Sequence, residues 1–146
     1  MVLTVDIGNS NIVAGGLAPE KTYFVERLST NLYKTSLEYA VSFKHILELN
    51  QIDAGSISGS IICSVVPPLT NTIREALERI TGAAPLVVGP GIKTGLNIKM
   101  DNPAQLGSDL VTDAVAAMHE YGAPLLIFDL GTATTMSAID KSGNYI

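Results

Sequence analysis

Two short segments carry residue types suited to holding a polyphosphate. The first is Val5-Asp6-Ile7-Gly8-Asn9-Ser10-Asn11, and the second is Phe128-Asp129-Leu130-Gly131-Thr132-Ala133-Thr134-Thr135. Each runs from an apolar strand into an aspartate, one apolar residue, a glycine, and then a cluster of small amides or hydroxyls. A turn of this composition exposes backbone N–H groups, and its glycine lets the main chain approach a phosphate closely. Asn, Ser and Thr side chains add donors. A carboxylate at the strand end can hold Mg²⁺ through water, because magnesium keeps several waters and takes only one or two carboxylates. A single Asp-x-Gly is an ordinary hairpin turn. Two copies, each closing an apolar strand and each followed by small polar residues, read better as two turns gripping one polyphosphate.

The elements that must position these turns follow from periodicity. Residues 2–7 read as a buried strand, 12–17 as a second and 23–28 as a half-exposed third, together an antiparallel meander. The period then changes: 36–50 is spaced as a helix, with Thr35 or Ser36 as N-cap and Glu38 in the first turn. The β-branched run at 57–66 is a strand that Pro67-Pro68 stops, and Pro68 opens a helix to about residue 80, closed by Gly82. Residues 85–88 form a short strand, and 89–101 are irregular. A helix over 103–121 ends at Gly122 and Pro124. Residues 125–129 are again a buried strand with 133–139 as hairpin partner, 141–144 turn, and 145–146 open another strand. Strands followed by alternating helices and strands indicate an α/β domain with a mixed sheet. We place that domain at 1–122 and the opening of a second at 123–146.

Composition narrows the function. Of 146 residues, 47% are hydrophobic and only 16% charged, which is apolar enough to imply surface meant for a partner subunit or a further domain. The net charge of −5 offers no basic face to neutralise phosphates, so no nucleic-acid partner is expected. The apolar runs are too short to span a bilayer, so no membrane association is expected either. The start of the chain has no basic region leading into an apolar core, so no secretory signal is read there. The single cysteine, Cys63, cannot form an internal disulfide, and a reducing cytoplasm is the expected location.

The two turns are similar to the phosphate motifs of the acetate and sugar kinase, heat-shock chaperone and actin superfamily. Within it, the chain resembles type III pantothenate kinases over essentially its whole length. The Asp6-to-Asn11 motif and Gly91-Ile92-Lys93-Thr94-Gly95-Leu96 stand in family order. So do Asp101-Asn102-Pro103, leading to Gly107-Ser108-Asp109, and the run from Asp129 to Thr135. The resemblance implies ribonuclease-H-like (actin-like ATPase) domains, the first with a mixed sheet and the second begun by the last strands, in a homodimer. It implies phosphorylation of pantothenate by ATP to 4'-phosphopantothenate, the opening step of coenzyme A synthesis. Mg²⁺ and a monovalent cation, K⁺ or NH4⁺, would be required.

By position in the family motifs, Asp6, Ile7, Gly8, Asn9, Ser10, Asn11, Ile12 and Val13 would surround the ATP phosphates. Asp6 would hold Mg²⁺ through water. Gly131 and Thr132 would contribute further phosphate donors, and Asp129 would bind the monovalent cation. Asp109 would be the general base taking the proton from the pantothenate hydroxyl, with Met100, Gly107, Ser108 and Leu110 beside it in the substrate pocket. Spacing alone reads Asp109 as a helix-surface acid favoured by the dipole. The resemblance gives it the catalytic role.

This sequence departs from the family pattern at two positions. The family motif is Gly-x-Asp-Arg, whereas Leu110 stands where the arginine belongs, and Met100 replaces a tyrosine of the pantothenate pocket. Losing a charge-assisted hydrogen bond costs about 1.5–3 kcal/mol, roughly one to two orders of magnitude in binding or rate. Lys93 and Lys99 are the cations available to substitute. The family also continues into a second domain that supplies adenosine-binding glycines and part of the dimer interface. The chain is therefore expected to be an N-terminal portion that binds nucleotide weakly and is inactive alone. Two rival readings are a degenerate, non-catalytic paralogue acting as a regulatory or interaction protein, and a kinase of this fold with another acceptor alcohol.

Other features carry less. The run from Gly89 to Gly95 superficially matches a P-loop, but Ile92 precedes Lys93 and no helix is expected after it. His45 and His119 each stand alone in a helical segment without a second ligand at metal spacing. Cys63 reads as a small core residue.

Overall fold

The computed structural model describes residues 1–146, the side chain of Ala104 excepted. Its contacts divide into two compact units, Met1–Val88 and Gly89–Ile146.

In the first unit, β1 (Val2–Ile7), β2 (Asn11–Ala18) and β3 (Lys21–Ser29) form the antiparallel meander. The chain crosses through α1 (Ser36–Leu49) and returns as β4 (Gly59–Ser64), which pairs in parallel with β1. After α2 (Pro67–Thr81), β5 (Leu86–Val87) adds a further parallel strand, giving a mixed sheet of order β3-β2-β1-β4-β5. The expected signals start and stop the helices. Thr35 and Glu38 complete a capping box at the head of α1, Pro67 opens α2 one residue before the expected Pro68, and Gly82 closes it at φ 73°, a conformation that costs a glycine little. Leu3, Val5, Ile7, Ile12 and Ala14 of the sheet pack with Tyr39, Phe43 and Leu47 of α1 and Ile73 and Leu77 of α2.

The second unit holds β6 (Asn97–Ile98), α3 (Ser108–Tyr121), β7 (Leu125–Leu130), β8 (Thr134–Ile139) and β9 (Asn144–Tyr145), in a sheet of order β6-β9-β8-β7. Its small core gathers Ala114 of α3, Ile139 and Tyr145, backed by Leu125, Ile127 and Met118.

Several expectations need correction. Neither β1 nor β7 is buried on both faces. In β1, Leu3, Val5 and Ile7 point inward while Val2 and Asp6 are exposed; in β7, Leu126, Phe128 and Leu130 are exposed. Apolar residues on both sides of a strand mimic full burial in a sequence, but a side chain is covered only where an element packs over it. The helix expected over 103–121 is broken. Pro103–Gln105 make one 3₁₀ turn, Gly107 is extended (φ −60°, ψ 148°), and α3 begins at Ser108. The strand expected at 57–66 is shorter, Gly59–Ser64, because Ile57 caps the 3₁₀ turn at Ala54–Ser56 and Val66 caps α2. Within the irregular stretch, Asn97–Ile98 forms β6, paired with β9 from across the unit. Two residues held by a distant partner leave no local period to read. Asn144, expected in a turn, is the first residue of β9 and is buried. Among the described residues, no helix is long and apolar enough to cross a membrane.

Candidate functional site

The first turn is built by pairing. Asp6 lies opposite Val13 in β2 and Cys63 in β4, on the exposed face near the end of β1. The chain reverses through Gly8, Asn9 and Ser10, closed by the Gly8 N–H donating to Asn11 O at 2.9 Å. A Cβ on Gly8 would lie 3.0 Å from that same oxygen, so the tight closure calls for glycine. Asn9, Ser10 and Asn11 are exposed, whereas Ile7 and Ile12 are wholly buried. Ile7 and Ile12 therefore underlie the turn rather than lie at its surface. Val13 is half-buried.

Beside this turn lies an open cavity of about 460 Å³ lined by Asn9, Thr30, Asn31, Leu32, Tyr33 and Val66. None of these but Asn9 was expected from the sequence. Thr30 Oγ1 donates to Gly8 O at 2.6 Å, so the segment after β3 is part of the turn's support. The one signal that could have found it is the polar Ser29-Thr30-Asn31 cluster closing β3, a third strand end with small polar residues.

In the second unit, Ser108, Asp109 and Leu110 form the first turn of α3, all half-buried, behind the extended Gly107. The Asp109 carboxylate leans back over Gly107 so closely that a Cβ there would collide with Oδ1. The glycine of this motif thus makes room for the carboxylate. The helix N-terminus favours negative charge at this position. Met100 is exposed in the segment after β6.

Asp129 lies on the α3-covered face of β7, directly opposite Thr135 of β8. The turn that follows is closed by the Gly131 N–H donating to Ala133 O at 3.1 Å. The Asp129 carboxylate oxygens come within 3.6 and 3.7 Å of where a Gly131 Cβ would stand, so the acid folds over its own turn. Gly131 and Thr132 are exposed. Thr135 Oγ1 is buried without a hydrogen-bond partner. An unsatisfied buried hydroxyl is costly and calls for a missing partner. The structure thus gathers residues 6–13 in one hairpin, 107–110 in one helical turn and 129–132 in one strand-end turn.

His45 and His119 are exposed helix residues, and Cys63 is buried in β4. Among the described residues, no group of three or more His, Cys, Asp and Glu could hold a metal ion.

Comparison with known proteins gives concordant results. Residues 2–146 match the family profile described as type III pantothenate kinase. A type III pantothenate kinase of Bifidobacterium longum subsp. infantis is 43% identical over 143 residues, covering 98% of this chain and 56% of the relative. One from Listeria monocytogenes serotype 4a is 42% identical over 145 residues, covering 99% of this chain and 56% of its own length. The chain thus spans little more than half the length of these curated relatives. Among solved structures, a protein proposed to be an N-acetylglucosamine kinase of Porphyromonas gingivalis superposes with a TM-score of 0.57 at 16% identity, over 100% of this chain and 46% of that one. That likeness concerns the fold alone, and it agrees with an actin-like, ribonuclease-H-like mixed sheet followed by the opening strands of another domain.

Proposed function

The chain belongs to the type III pantothenate kinase family, and on that premise we propose that it contributes the phosphate turns and general base of an ATP-dependent pantothenate kinase. The product would be 4'-phosphopantothenate, which opens coenzyme A synthesis. The observation that carries this reading is the Asp6–Asn11 hairpin, with its carboxylate and small polar residues exposed at the end of β1 and its glycine closing the turn.

Phosphoryl transfer passes through a loose transition state, so the protein's work is positioning and charge neutralisation. The exposed amides and side chains of Asn9, Ser10 and Asn11 bind phosphate oxygens, and Gly131 and Thr132 do the same from the second turn. Asp109 accepts the proton of the attacking hydroxyl; held in a helical first turn, its carboxylate is oriented before substrate arrives. Ser108, Gly107, Leu110 and Met100 shape the acceptor pocket. The domain boundary at 122/123 belongs to the same proposal, as do a homodimeric assembly and a cytoplasmic location.

The residues fit both cations. Asp6 offers one exposed carboxylate beside exposed Asn9 and Ser10, the oxygen-rich setting in which magnesium is held partly by water and by phosphate. Bound there, Mg²⁺ would supply neutralisation of the charge on the phosphates. At the second turn, Asp129 and the orphaned Thr135 hydroxyl are facing ladder partners, and a K⁺ or NH4⁺ ion would satisfy both oxygens.

The test is ADP release by the longest reading frame that contains this chain, with and without pantothenate. ADP that forms only when pantothenate is present supports the reading. No ADP with pantothenate, or equal ADP with unrelated alcohols, refutes it.

A further inference from the structure

Thr30 is bonded to both sides of the first turn. Its Oγ1 donates to Gly8 O at 2.6 Å, and its N–H donates to Ser10 O at 3.0 Å. The neighbouring Asn31 exchanges a pair of hydrogen bonds with one side chain. Its N–H donates to Tyr39 Oη at 3.0 Å, and the Tyr39 hydroxyl donates to Asn31 O at 2.9 Å. Tyr39 is wholly buried in α1 and stacks on Phe43 with ring centroids 6.3 Å apart. A continuous path of short bonds therefore runs from the core, through Tyr39, Asn31 and Thr30, to the turn.

The consequence follows from peptide geometry. In a planar trans peptide the C=O and the following N–H point in opposite directions. Drawing the Gly8 and Ser10 carbonyls toward Thr30 turns the N–H groups of Asn9 and Asn11 to the opposite side. An anion is attracted by N–H dipoles and repelled by C=O dipoles, so a turn free to rotate its peptides would present a mixture of both. Fixed donors also bind without paying for their ordering.

We propose that Thr30 is a positioning residue for the phosphate turn. It ties back two carbonyls so that the Asn9 and Asn11 amides stand ready for the oxygens of a nucleoside polyphosphate, and Tyr39 holds it in register. The inference rests on reading residues 6–13 as phosphate-binding, and its test separates the two claims.

Thr30→Val keeps the side-chain shape and removes the hydroxyl donor, while Thr30→Ser restores that donor. In the longest reading frame containing this chain, Thr30→Val should speed amide hydrogen exchange at Gly8, whose N–H closes the turn on Asn11 O, about tenfold and leave β4 and α2 unchanged. Mg-ATP affinity should fall about 3- to 10-fold, the range for one neutral hydrogen bond. Pantothenate affinity should not move, and Thr30→Ser should behave as the parent. Should Thr30→Val fail to fold, Tyr39→Phe, which keeps the ring and loses only the hydroxyl, tests the same path and should speed exchange at the same Gly8 amide. Parent-like exchange and affinity in the variant overturn the proposal. Faster exchange with unchanged Mg-ATP affinity overturns its ligand role. A parent whose Asn9 and Asn11 resonances ignore saturating Mg-ATP refutes the phosphate reading itself, while the exchange data still decide whether Thr30 orders the turn.

Discussion

Asp109 and Gly107 form one device: the carboxylate leans into space that only a glycine leaves open, at the end of a helix where negative charge is favoured. If that carboxylate takes the acceptor proton, Asp109→Asn should cut turnover by about 10²- to 10⁴-fold, the usual worth of a general base. Mg-ATP binding, read by calorimetry, should stay close to the parent; near-normal turnover would remove Asp109 from the chemistry. One residue later comes half-buried Leu110, at the position where the resemblance implies an arginine. Leu110→Arg should raise pantothenate turnover about 10- to 100-fold, the converse of losing a charge-assisted bond. An unchanged rate would mean that the pocket does not lack that contact. At the second turn, Thr135→Val removes an orphaned buried hydroxyl. Without a monovalent cation the variant should be at least as stable as the parent by thermal melting, because an unmet polar group has been deleted. Its activity should need a higher K⁺ concentration for half-maximal effect. Unchanged K⁺ dependence would separate Thr135 from the cation.

Among the elements, the head of α1 makes a pH-dependent contribution that can be isolated. Both the main-chain and the side-chain hydrogen bonds of Thr35 hold the Glu38 carboxyl below its ordinary value of 4.5, with Lys34 assisting. A carboxylate depressed in the folded state adds stability that is present above its unfolded pKa and is lost as pH falls through the folded value. The melting-temperature difference between the parent and Glu38→Gln should therefore be constant from neutral pH to about 5 and shrink below about 4.5. A difference that grows in acid would contradict this sign. The same capping box was legible beforehand, since Thr35 and Glu38 stand at the spacing that two local bonds require. The β1–β2–β3 meander and the β7–β8 hairpin were legible for the same reason: strand period and turn chemistry are local. The break before α3 was not, because Pro103 suits the start of a single 3₁₀ turn as well as that of a longer helix, and only the extended backbone of Leu106 and Gly107 separates the two. Nor was β6, which exists only through its distant partner β9. The two turns proposed to bind phosphate were read from composition, but the bond from Thr30 was missed because its partner Gly8 lies 22 residues away.

At the scale of the molecule, each unit has its own core, extensive in Met1–Val88 and small in Gly89–Ile146. The excess of apolar residues in the composition reappears as one open face of the second sheet, where Leu126, Phe128, Leu130 and Met136 are 65, 60, 79 and 64% exposed. The proposed function depends most on the Asp6–Asn11 hairpin holding the phosphates of a nucleotide. Mn²⁺-ATP, titrated into the longest reading frame that contains this chain, reads this directly, since the bound paramagnetic ion broadens amide resonances close to it. Selective broadening is predicted at Gly8 to Asn11. Broadening that spares those four residues would contradict the proposal.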